Sequence, residues 1–211
     1  IRDSLRGATF KPDGSRMFII DKGSTEYIYT YDLGEPFEPN SQNNVNRVQV
    51  NNIFVEGAGR DYAFNGDGTK MYVTGLTYDG IIEIDLATPY YINPNTDGSA
   101  DINDLKYISL DTLSIQYENS SKTEQIGDNI LSLEWGDNGR KLYVLEGYEE
   151  SIIEFHVTSS VPYNIHALKP VNRLNLNADD THISNIVFTP DGSHLLFAES
   201  TKDNILSLIH I

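Results

Sequence analysis

Short apolar runs punctuated by Pro, Gly, Asp and Asn recur along the chain, and none is long enough for an amphipathic helix. Four of them share one pattern, in which a run ends on an aromatic, a Gly-containing turn follows, and a second run begins. The copies are Ala8 to Ile20 around Pro12-Asp13-Gly14, Tyr62 to Val73 around Gly66-Asp67-Gly68, Leu133 to Val144 around Asp137-Asn138-Gly139, and Ile186 to Phe197 around Pro190-Asp191-Gly192. Arg16 to Ile20, Lys70 to Thr74, Lys141 to Leu145 and His194 to Ala198 combine aromatic, β-branched and other apolar residues between turn signals, which predicts strands. The Gly and Asn residues between the runs predict hairpins, because they accept the positive φ that a tight reversal requires. Third strands are predicted at Tyr27 to Leu33, Ile81 to Leu86, Ile152 to Val157 and Ile205 to Ile211. Three of these lead to Pro36-Phe37, Pro89-Tyr90 and Pro162-Tyr163, where proline ends the ladder. Weaker fourth strands are predicted at Asn46 to Val50, Leu105 to Leu110 and Asn172 to Leu176.

The aromatics Phe10, Phe64, Trp135 and Phe188 stand 54, 71 and 53 residues apart, so one unit is repeated with a single insertion, 114–128. Units of four antiparallel strands arranged radially make a β-propeller, which closes with about 4 to 8 blades. The expected architecture is therefore all-β, one propeller over 1–211, with blades at about 1–52, 53–113, 129–177 and 178–211. The last unit has no fourth-strand segment, which predicts an unpaired edge and a ring completed by further blades or by a second chain. A closed ring of four blades is the third option.

The pattern F-x-P-D-G-x-x-M-Y-V followed by Y-D-L-x-T-P-Y resembles the degenerate propeller repeats of bacterial and phage surface or secreted proteins, akin to lactonase-like propellers; its best copy runs from Phe64 to Tyr90. The resemblance implies a fold and an extracellular, cell-surface or virion setting rather than one activity.

Charge narrows the partners. With 15 Lys+Arg against 31 Asp+Glu the net charge is -16, which repels a phosphate backbone and argues against nucleic acid. No apolar run is long enough for a helical membrane span, and no signal peptide is recognised. The absence of cysteine removes disulfides, thiol chemistry and thiolate metal sites.

The most specific chemical signal lies at 93–104, where Asn93, Asn95, Asp97, Asp101 and Asp104 occupy positions 1, 3, 5, 9 and 12 of a loop with Gly98 at position 6 and Ser99 beside it. That spacing wraps a calcium ion in dockerin and EF-hand type loops. Asn93 for the first Asp, Asp104 for the bidentate Glu and Pro94 at position 2 depart from the pattern, and a solvated Asn/Asp turn is the competing reading. Asp13, Asp67 and Asp191 recur at one hairpin position and are read as turn residues. His156, His166, His182, His194 and His210 accompany no nucleophile elbow and no metal-ligand spacing. The connections between second and third strands offer a ligand-binding rim of Asp21, Glu26, Tyr78, Asp79, Glu146, Tyr148 and Glu149, acidic and aromatic groups suited to a sugar or a cationic peptide. An ordinary solvated acidic edge is the alternative there. The insertion is read as an elaborated loop.

Two functions follow. One is a non-catalytic interaction or structural module of an extracellular or virion-associated protein, binding a protein or a glycan and stabilised by calcium. The other is a lactonase- or lyase-like hydrolase with a metal-assisted site, which requires acid and base groups converging at the channel mouth.

Overall fold

Each apolar run of the repeat becomes one strand of a meander. The computed structural model describes residues 5–21, 27–49, 59–75, 80–92, 102–110, 113–116, 123–126, 129–147, 150–176, 183–189, 192–199 and 204–209. The first sheet holds β1 (Leu5–Phe10), β2 (Arg16–Asp21), β3 (Tyr27–Leu33) and β4 (Gln42–Gln49); the second holds β5 (Gly59–Phe64), β6 (Lys70–Gly75), β7 (Gly80–Leu86) and β8 (Ile102–Ser109). A small hairpin of β9 (Ser114–Gln116) and β10 (Thr123–Gln125) follows. The third sheet holds β11 (Ile130–Gly136), β12 (Lys141–Glu146), β13 (Ser151–Val157) and β14 (Leu168–Asn175), and the fourth β15 (Ile183–Phe188), β16 (His194–Glu199) and β17 (Asn204–Ile209). Strands pair antiparallel in chain order within every sheet, which is the blade topology the repeat predicts.

The hairpins carry the expected chemistry. Gly14, Gly68, Gly139 and Gly192 all have φ between 68 and 78°. The Asp13 carboxylate accepts from the Ser15 amide at 3.0 Å and hydroxyl at 2.6 Å, and Asp67 does the same for Thr69 at 3.0 and 2.6 Å, so these aspartates bind their own turns. A further device was read only as a strand end. The aromatics after the prolines, Phe37, Tyr90 and Tyr163, themselves adopt positive φ, and their amides donate to the carbonyls of Gly14, Gly68 and Gly139 at 3.0, 2.8 and 2.8 Å. Each ring then lies over that glycine and against the aromatic that ends the first strand, with centroids 5.5 Å apart for Phe10–Phe37, 5.3 Å for Phe64–Tyr90 and 5.2 Å for Trp135–Tyr163.

The core lies between sheets. Phe18, Ile20 and Ile28 of the first sheet pack on Tyr62, Met71, Val73, Ile82 and Ile84 of the second. Ala63, Tyr72 and Ile81 on the opposite face of the second sheet pack on Leu133, Leu142, Val144, Ile153 and Phe155 of the third. Tyr143, Leu145 and Ile152 continue to Ile186, Leu195 and Phe197 of the fourth. The middle sheets are therefore buried on both faces, which is why β12 carries the unbroken apolar run Leu142 to Leu145 rather than an alternation. Among the described residues no such cluster joins the fourth sheet to the first.

Two expectations need correction. The outer strands begin earlier than predicted, at Gln42, Ile102 and Leu168 rather than Asn46, Leu105 and Asn172. Ile102 and Leu168 are followed by polar residues, and β4 opens on Gln42, Asn43 and Asn44, so the starts carry no apolar alternation; Pro170 is accommodated opposite Phe155 where the ladder bulges. The insertion is not a plain loop: β9 and β10 pair, while Leu110 and Ile126 beside them are buried in the cluster between the second and third sheets.

Candidate functional site

The four innermost strands carry one β-bulge each at the same place, between Leu5 and Gly7, Gly59 and Asp61, Ile130 and Ser132, and Ile183 and Asn185. A bulge re-aims the next side chain. Here it brings Asp61 of β5 to the Ser132 hydroxyl of β11, which donates to the carboxylate together with the Leu133 amide at 3.3 Å. The Ser132 hydroxyl oxygen accepts from the Ile186 amide at 3.1 Å, so polar contacts cross from the second sheet to the fourth through the third. On the other side Gly7 leaves room for Asp61, because a Cβ there would stand 3.1 Å from the carboxylate. Burial pushes the Asp61 carboxyl up to about 6, against hydrogen bonds from Ser132, the Tyr62 and Leu133 amides and Asn185 that favour its charge. Ser132→Ala is expected to cost about 1–2 kcal/mol, since it strips one donor from a buried carboxylate and one acceptor from the Ile186 amide. Urea denaturation at pH 7.5 checks this, and an unchanged midpoint refutes the thread.

Glu134, two positions beyond Ser132, is the second perturbed carboxyl of the inner strands. Burial first, and the Asp61 charge second, push it up to about 8, so it is largely protonated at neutral pH. It lies on the wall shared by two cavities at the hairpin end of the sheets. The larger, about 720 Å³, opens between the third and fourth sheets and is lined by Glu134, Trp135, Lys141, Tyr143, Tyr163, Phe188 and the turn residues Asp137 to Gly139 and Gly192. The smaller, about 250 Å³, lies among the first three sheets and adds Phe10, Tyr62, Phe64 and Tyr90 to the shared Glu134, Trp135 and Tyr163. Trp135 packs edge-on against Tyr72 at 5.0 Å and Tyr163 at 5.2 Å, and its indole N–H is buried without a hydrogen-bond partner among the described residues. Four rings and a neutral acid thus border one concave space. Such a surface can hold a ring or chain by stacking and fix its orientation by hydrogen bonds.

This site is at the opposite end of the strands from the rim expected from sequence. Of that set, Glu26, Tyr78, Asp79, Tyr148 and Glu149 lie outside the described residues. Asp21 and Glu146 close β2 and β12 and are 1% and 0% exposed, interior groups rather than edge ones. The Glu146 carboxylate accepts from the Ser151 hydroxyl at 2.8 Å and pairs with Arg173 at 3.2 Å. The Asp21 oxygens are buried with no hydrogen-bond partner among the described residues. In the calcium-like loop Asn93, Asn95, Asp97, Ser99 and Asp101 are outside the described residues, and Asp104 stands exposed on β8, 3.6 Å from Lys106. Of the histidines, His156 contacts Glu154 at 2.9 Å and His194 contacts Ser193 at 2.7 Å, while His182 and His210 are outside the described residues. No group of three metal-ligating side chains occurs among the described residues. Asp61 and Glu134 escaped the sequence reading, although a signal existed: Glu134 occupies the repeat position held by Thr9, Ala63 and Val187.

Neither a protein-family model nor a curated protein matches the sequence. Solved structures do resemble it. A candidate 6-phosphogluconolactonase from Bacteroides fragilis aligns at 19% identity and TM-score 0.52 over 97% of this chain and 50% of its own. The periplasmic gluconolactonase of Pseudomonas aeruginosa aligns at 12% and 0.52 over 96% of this chain and 67% of its own. The beta-propeller domain of Cps50 (Swd1) from Myceliophteria thermophila aligns at 12% and 0.51 over 100% of this chain and 57% of its own. The chain thus spans half the length of the first of these and somewhat more of the others. At such identities the likeness is one of fold, and the fold of this chain is that of a β-propeller, four sheets of it in succession.

Proposed function

We propose that the chain is a non-catalytic interaction module of an extracellular or virion-associated protein, holding a protein or glycan ligand in the cavity between the third and fourth sheets. The cavity itself carries the proposal: Trp135, Tyr143, Tyr163 and Phe188 line it with aromatic rings, and Glu134 in its neutral form offers a donor. Trp135 is the sole tryptophan of the chain, so its emission reports on this space alone. Titration with panels of peptides and oligosaccharides is expected to shift or quench that emission saturably, with the change lost in Phe188→Ser. A flat response across both panels, in protein whose melting curve shows it folded, refutes the module reading.

One observation favours a second reading. Asp61 at about 6 and Glu134 at about 8 sit on neighbouring inner strands, one ionised and one protonated near neutrality, the division of labour an acid and base pair needs. Under that reading the chain is a lactonase- or lyase-like hydrolase, and lactone turnover that disappears in Glu134→Gln would establish it. Calcium remains a proposal for the loop 93–104. Calorimetric titration decides it, heat with a raised melting temperature placing an ion there and neither removing it.

A further inference from the structure

The outer strands of the first three sheets open alike. Each bulges where Asn43, Asn103 or Val171 stands opposite no residue of the third strand, and each bulge is followed directly by Asn or Asp: Asn44, Asp104 and Asn172. The pairing fixes where the next amide points. The Leu86 amide donates to the Thr69 carbonyl at 2.8 Å, so the alternate residues Asp85 and Glu83 turn their main-chain groups to β8, where they meet Asp104 and Lys106. Leu105 and Tyr107 therefore turn theirs outward, along an edge that pairs with no other strand among the described residues. At Leu105 the outward amide is already engaged, donating to the Asp104 carboxylate at 2.9 Å. On β14 the Arg173 amide donates to the Asn172 side-chain oxygen at 3.0 Å in the same way.

An open strand edge is a template for another chain, and natural sheets blunt it. Pro170 interrupts the edge of β14, and β4 opens on the polar run Gln42, Asn43 and Asn44. Past Asp104, β8 has no such break: it runs Leu105-Lys106-Tyr107-Ile108, with Leu105 39% and Tyr107 40% exposed. It also matches itself. Laid antiparallel on a second copy about Leu105, residues 102–108 set Ile102 opposite Ile108, Asn103 opposite Tyr107 and Asp104 opposite Lys106, so no like charges meet. The outward amide and carbonyl of Leu105 would then form the two central hydrogen bonds of the seam.

We infer that Asp104 guards this edge: by holding the Leu105 amide it keeps β8 from pairing with the β8 of a second copy. Asp and Asn side chains make such local bonds in competition with sheet ladders. Lys106 does not take the same part, because its ammonium is drawn inward to Glu83 at 3.0 Å. Asn172 repeats the device on β14, where Pro170 already breaks the edge.

Light scattering in about 0.15 M salt, where repulsion between two chains of net charge -16 is screened beyond about 8 Å, tests the role. EDTA in the buffer keeps it apart from any ion at 93–104. The wild type is expected to run at 23.7 kDa, and Asp104→Val, which removes the acceptor and favours a strand, at twice that mass as concentration rises. Asp104→Asn keeps an oxygen for the Leu105 amide while dropping the charge, and is expected to hold the wild-type mass. Leu105→Cys supplies the only thiol of a chain without cysteine and reports the register. Mild oxidation is expected to join two copies in the Asp104→Val background and to leave the wild-type background single. Melting curves show that each variant is folded. A wild type already at twice the mass, a single mass for Asp104→Val, or doubling by Asp104→Asn overturns the inference. So does an Asp104→Val dimer that the thiol at 105 fails to join, since its copies then meet elsewhere.

Discussion

Gly68→Ala is expected to destabilise the protein by about 2–5 kcal/mol, against about 1–2 kcal/mol for the same change at Gly192. Both glycines sit at left-handed φ, 72° and 68°, so both substitutions carry the same backbone cost. They differ in what the new methyl group meets. At Gly68 it would enter the Tyr90 ring, and at Gly192 it meets nothing among the described residues. Tyr90 has little freedom to retreat. Its amide is bound to the Gly68 carbonyl at 2.8 Å, its hydroxyl donates to the Gly66 carbonyl at 2.8 Å, and its ring leans on Phe64 at 5.3 Å. Moving it would open the buried seam between the first and second sheets, where Tyr90 is part of the core. Urea denaturation of the two variants measures the difference directly, because the shared backbone term cancels between them. Equal losses would show that the ring contributes nothing to the blade.

The hairpins were legible because their determinants are local: a glycine at positive φ and an Asx turn lie within a few residues of each other in Pro12-Asp13-Gly14-Ser15 and Gly66-Asp67-Gly68-Thr69. Pro36-Phe37, Pro89-Tyr90 and Pro162-Tyr163 were legible only as strand ends, since the rings reach back across the whole blade to a glycine that no local window contains. Asp21 and Glu146 looked like rim residues beside polar connections. In the structure β2 and β12 run one residue further than their apolar runs, and pairing of Asp21 with Leu5 and Tyr27, and of Glu146 with Ile130 and Ser151, carries both carboxylates inside. The site at Asp61 and Glu134 depends on the next sheet rather than on neighbours in sequence. A carboxylate in an inner strand is ordinary until another blade covers it, and the covering blade begins some 50 to 70 residues later.

Glu134→Gln is expected to change the pH dependence of stability more than its value in acid. The folded protein holds the Glu134 proton up to about 8, whereas an ordinary glutamate releases it near 4.5. Below 4.5 the group is neutral in both states and contributes no slope. Between 4.5 and 8 the unfolded chain ionises while the folded one stays protonated, so the unfolded state gains and stability falls as pH rises. Above that window both states are ionised, and the full penalty of a buried charge remains, about 5 kcal/mol at most. Asp61 acts with the same sign in an earlier window, from 3.8 to about 6, and its charge is one of the two causes that raise Glu134. Glutamine keeps the size and the donor but has no proton to lose. Melting temperatures from pH 4 to pH 9 should therefore coincide for the two proteins in acid and diverge upward for Glu134→Gln through the neutral range. In Asp61→Asn the fall should begin later for want of the Asp61 titration, yet end earlier, because Glu134 loses the neighbouring charge and releases its proton sooner. Parallel melting curves for the wild type and Glu134→Gln would place Glu134 in water, and would take from the cavity the neutral acid that lets it donate to a ligand at physiological pH.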